Sequence, residues 1–153
     1  LTLLDSEKLA IKHNNYQSIN QFVLRALRYS SIQAEELKSK DYKVKISDFL
    51  LKPVQEFNSR FFFGEGFKDG LHGLIFCLLQ AFAIALIYMK LWELQGSQDK
   101  PLPKESFVSA SQESVFEYDH WFTRFFKNEY KPGIFKTGLI KFRHRLNRLT
   151  KNF

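Results

Sequence analysis

The sequence predicts a mainly α protein. Two observations carry this: apolar residues recur at helical spacing in four separate stretches, and helix start and stop signals bracket the periodic runs. Residues 1–16 lack helical periodicity and suit the end of a strand followed by a loop. Ser18 with Gln21 three residues on forms a capping-box pattern, and Ile19, Phe22, Val23, Ala26 and Leu27 make one apolar face of a helix reaching about Leu37. Lys38 to Lys45 is polar and reads as a loop. Ser47 or Asp48 is placed to cap a second helix carrying Phe49, Leu50, Val54 and Phe57, with Pro53 tolerated near its first turns. Gly64 and Gly66 end it.

The third element is the most apolar. No formally charged side chain occurs from Gly70 to Met89, 20 residues, which is long enough to cross a hydrocarbon core. Asp69 is a good N-cap, and Trp92 beside Lys90 suits a membrane-water boundary. Residues 95–111, with Pro101 and Pro103, read as a linker. A fourth helix is expected over 112–129. Pro132-Gly133 stops it, and a last helix places Phe135, Leu139, Phe142, Leu146 and Leu149 on one face.

Charge divides the chain. Residues 131–153 hold seven basic side chains and no acid, whereas the rest balances 16 against 16, so the net +7 resides in the tail. A basic amphipathic helix points to an anionic membrane surface, or to a solvated helix packing its apolar face on the protein. No zinc-finger spacing, RNP motif or phosphate loop accompanies it, so nucleic acid is not expected as a partner. The single cysteine, Cys77, excludes an intrachain disulfide and fits a reducing compartment. The first residue is Leu1 and the only methionine is Met89, from which a piece of a longer protein is expected. No signal peptide is visible, because Asp5, Glu7 and Lys8 interrupt any apolar start. If residues 71–89 crossed a membrane once, the basic tail and the N-terminal half would lie on opposite sides. Both ends on the cytoplasmic side is the easier arrangement. With His72 and Gln80 inside the run, the expectation is an interfacial or re-entrant helix.

Three blocks carry a family resemblance. They are Ile11-x-His13-x-x-Tyr16-x-Ser18; Phe57-x-x-Arg60-Phe61 leading to Gly66-Phe67-x-Asp69-Gly70-x-x-Gly73; and Tyr88-x-Lys90-Leu91-Trp92-Glu93. Over roughly residues 9–94 the chain resembles the C-terminal part of bacterial family-2 glycosyltransferases, closest to the lipopolysaccharide-core and capsule type similar to heptose β-1,4-glucosyltransferase. It departs from them at Gly64-Glu65, where relatives tend to be aliphatic and basic. The resemblance implies a preceding GT-A domain that binds a nucleotide sugar, with an Asp-x-Asp holding a divalent metal, Mn²⁺ or Mg²⁺. No Asp-x-Asp occurs in this chain, so catalysis by it alone is not expected. His13 resembles the histidine that completes the metal site in many GT-A enzymes; a structural or substrate-side histidine is the alternative. His72, His120 and His144 show no metal spacing. Arg60 is a candidate for an acceptor or lipid phosphate, with a surface salt bridge as the plainer reading. Phe67, Asp69, Gly70 and Trp92 are expected to shape and anchor the membrane-facing helix.

Two functions follow. The first is the membrane-associating portion (residues 17–94, with its interfacial helix over 67–94, and 112–153) of an inverting transferase acting on a lipid-linked glycan at the cytoplasmic face of the inner membrane; residues 1–16 would be the end of the catalytic domain. The second is a non-enzymatic membrane-bound helical protein that recognises anionic lipid or an acidic partner.

Overall fold

The computed structural model describes residues 17–97 and 101–129. His13 and the basic tail, with the last expected helix, lie outside the described residues. The rest is mainly helical, with no strand among the described residues. Helix α1 covers Ile19–Ser39. Helix α2 covers Ile46–Asn58 and runs on through a π-helical turn, Ser59–Phe63. After a 3-10 turn at Gly66–Asp69 come α3, Gly70–Leu94, and α4, Lys104–Glu129.

The α1 start is the one the pattern predicts: Ser18 Oγ accepts from Gln21 N at 3.2 Å, while Gln21 Oε1 accepts from Gln17 N at 3.0 Å. The α2 start differs. Lys45 occupies the N-cap, and Asp48, three residues later, accepts from Lys45 N at 2.8 Å. Pro53 consequently falls about two turns into α2, beyond the first turns where its missing N–H is free of cost. The π-helical turn that follows leaves Asn58 fully buried with neither amide atom hydrogen-bonded.

Helix α4 starts at Lys104, eight residues before the expected 112. Its serines suit a helix because they bond back one turn: Ser111 Oγ to Phe107 O and Ser114 Oγ to Ala110 O, both 2.7 Å. The connector after α3 therefore shortens, and Pro103 O accepts the first helical bond, from Phe107 N at 2.9 Å.

The helices run up, down, up, down, but their spatial order is α1, α3, α2, α4, and α3 does not pack on α4. Parallel α1 and α3 meet through Phe22 and Phe76, ring centroids 6.1 Å apart, and further along through Lys90 Nζ and Ser31 Oγ at 2.7 Å. Their seam buries small residues, Ala26, Ser30 and Ala34, which lets the backbones approach. The α2–α4 seam is an aromatic ladder. Phe57 stacks on Tyr118 at 6.5 Å, Phe62 meets it edge-on at 6.0 Å, and Phe62 and Phe67 meet Phe125 at 5.4 and 4.8 Å.

Candidate functional site

One face of α3 has no partner among the described residues. With α1 on one flank and α2 on the other, the third side presents Leu71, Ile75, Leu78, Phe82, Met89 and Trp92, which are 39% to 70% exposed. These residues follow helical spacing for 21 steps, a stripe of about 32 Å at about 1.5 Å per residue. The helix is long and apolar enough to cross a membrane by length and composition. Isolated apolar residues on a surface need no explanation; a continuous stripe does.

The stripe begins at the glycine turn. A Cβ on Gly73 would lie 1.9 Å from Gly66 O, so α3 and the 3-10 turn touch backbone to backbone. Gly66 is confined less severely, its Cβ position 2.9 Å from Arg60 O and 3.0 Å from Cys77 Sγ. Gly70 has open space but φ +60° and ψ −137°, a conformation that needs glycine. Asp69 stands at the N-cap without making a side-chain cap bond. Its φ −82° and ψ 10° continue the 3-10 turn, whereas a capping carboxylate needs extended backbone to reach the next N–H groups.

At the other end a polar clamp holds the α1–α2 loop to α3. Gln95 Nε2 donates to Tyr42 O at 2.6 Å and Gln95 Oε1 accepts from Val44 N at 3.3 Å. Tyr42 OH donates to buried Asp48, 2.8 and 3.0 Å from its two oxygens. Burial, and then the Asp48 carboxylate, push the Tyr42 phenol up to about 12. Nothing in the sequence pattern singles out Gln95, because it sits just past the helix end and acts on a loop about fifty residues away.

The sequence-derived residues are dispersed rather than gathered. Arg60 Nε donates to Glu56, one turn earlier, which fills the salt-bridge role. Phe67 is inserted between Phe61 and Phe125, with ring centroids 6.3 and 4.8 Å away. Asp69 is exposed at one end of α3, and Trp92 is 42% exposed near the other. Among the described residues no three His, Cys, Asp or Glu side chains converge as a metal centre.

Past Trp92 the chain forms an open groove of about 1640 Å³ between the α1–α2 loop and the start of α4. Lys38, Lys43 and Lys45 line one wall; Glu105 and Glu113 line the other. No known protein family, curated protein or solved structure matches this chain.

Proposed function

We propose that this helical unit seats its protein on a membrane, with α3 lying along the surface and its stripe dipped into the acyl region. The stripe is the observation that supports it. Six half-exposed apolar side chains in one line offer on the order of 1 kcal/mol each on transfer to lipid, by area. The neighbours of α3 argue for lying flat over crossing. Helix α1 carries Arg25, Arg28, Glu35 and Glu36, α2 carries Lys52 and Glu56, and the π-helical turn carries Arg60. A crossing α3 would draw these into hydrocarbon, at roughly 2.5–3.5 kcal/mol for each charge near the centre. Lys90 fits the flat arrangement as well, because Leu27 O and Ser31 Oγ accept from its ammonium at the protein side of the stripe.

The larger reading rests on the blocks ending in Tyr88-x-Lys90-Leu91-Trp92-Glu93. In it, this unit holds a family-2 glycosyltransferase at the cytoplasmic face of the bacterial inner membrane. There the parent enzyme, using a divalent metal, passes a sugar from a nucleotide-sugar donor to a lipid-linked envelope glycan. Arg60, whose terminal guanidinium nitrogens have no partner among the described residues, is the side chain for an acceptor phosphate.

Two experiments test the two levels. In sealed vesicles holding the protein, cysteines placed one at a time at Asp69 and Glu93, with Cys77→Ala, should both react with an impermeant maleimide from the same side. Labelling from opposite sides would replace the flat helix by a span. For the enzyme, membranes containing the parent protein should transfer labelled sugar from a nucleotide sugar to endogenous glycolipid, and Arg60→Gln should raise KM for the acceptor. Absence of transfer across the common donors would leave a non-enzymatic membrane protein.

A further inference from the structure

The groove beyond Trp92 and the stripe on α3 share that one side chain. A lipid whose apolar part enters the bilayer beside the Trp92 end of the stripe would therefore place its polar end at the groove. The two walls differ in charge. The Lys43 ammonium is held by Asp41 at 2.5 Å, while the ammonium groups of Lys38 and Lys45 have no ion-pair or hydrogen-bond partner among the described residues. Across from them, Glu105 stands in the first turn of α4, where the helix dipole favours its anion. Glu113 lies two turns further on and, among the described residues, accepts only from Ser109 Oγ, at 3.1 Å. The groove thus offers cations on one side, carboxylates on the other and no net charge, which suits neither a plain anion nor a plain cation.

We propose that the groove receives the head group of a phosphoethanolamine lipid, whose acyl chains pass Trp92, at the end of the stripe, into the bilayer. The phosphate meets the Lys38 and Lys45 wall, and the primary ammonium donates to a carboxylate of the opposite wall, Glu105 or Glu113. Charge-assisted hydrogen bonds of this kind are directional and roughly twice as strong as neutral ones. A choline head group carries the same charges but has no N–H to donate, so the groove distinguishes the two. Trp92 marks the boundary where acyl chain gives way to head group. The inference rests on the membrane reading above and adds lipid selectivity to it.

The test is co-sedimentation of the whole chain with two sets of uncharged vesicles, phosphatidylcholine alone and phosphatidylcholine with phosphatidylethanolamine, at a salt concentration that screens the basic tail. Binding should be about tenfold tighter to the second set, as expected for added charge-assisted bonds. The pair Glu105→Gln and Glu113→Gln should erase that preference and leave binding to phosphatidylcholine unchanged, with helicity confirmed by circular dichroism. Equal binding of the parent chain to both sets overturns the head-group site alone. A preference that survives in the Gln variant also overturns it, since bilayer packing would then be the cause. No binding to either set overturns the membrane reading and this inference together.

Discussion

Gly73→Ala is the substitution for which the geometry and the residue's intrinsic preference give opposite signs. Alanine favours a helix interior over glycine by about 1 kcal/mol, so propensity alone expects a more stable protein. The new Cβ, however, would stand 1.9 Å from Gly66 O, 2.9 Å from Gly66 C and 3.0 Å from Asp69 Cβ. The first contact falls about 1.1 Å short of the shortest separation real Cβ atoms tolerate, 3.0 Å. Its partner is backbone, so no rotamer change relieves it, and either the 3-10 turn or the first turn of α3 must move. Overpacking of this kind costs roughly 1–3 kcal/mol, and a backbone clash belongs at the upper end. After the propensity gain, a net loss of about 2 kcal/mol is expected. Urea unfolding followed by circular dichroism measures it, with Ser111→Ala on exposed α4 as a control that should stay within about 0.5 kcal/mol. A Gly73→Ala protein as stable as its parent, or more so, would refute the packing of α3 on the turn.

Phe82→Glu places a charge in the middle of the stripe at a side chain that is 46% exposed, so the fold should tolerate it. Binding to phosphatidylcholine vesicles should fall at least about tenfold, and unchanged sedimentation would remove the stripe from membrane contact. Asn58→Leu exchanges a fully buried amide without partners for an apolar side chain of similar size. It should raise stability by about 1 kcal/mol or more in the same unfolding assay, and a loss of that size would mean the amide has a partner. The raised phenol of Tyr42 sets a pH dependence. Because the folded state holds this proton more tightly, the stabilisation is complete below pH 10 and is lost as pH rises toward about 12. Tyr42→Phe should flatten the stability profile across that window; an identical slope in both proteins would show that the phenol does not report on Asp48.

Several elements were legible because their determinants are local. Ser18 and Gln21 lie within one turn and cap α1 as their spacing implies. Gly66, Gly70 and Gly73 announce a turn that only glycine permits, although their separate reasons (two close approaches and one left-handed backbone) need coordinates. The absence of charge from Gly70 to Met89 suffices to make α3 long and apolar. The start of α4 was hidden because serine and proline favour loops on average, while these serines bond back to the helix. Arg60 looked available in sequence, yet Glu56 stands one turn away on the same helix.

The sequence by itself determined that the described part is mainly helical, where the glycine turn falls and that α3 is apolar enough to associate with a membrane. It could not determine which side of α3 is open, because a helix apolar all round has no face that its own pattern marks as buried. That side is whatever α1 and α2 leave uncovered, and they cover two flanks out of chain order. Likewise Gln95 meets Tyr42, and Lys45 faces Glu105, only because the helix ends converge. Local spacing sets the elements; long-range packing decides which surfaces remain to do work.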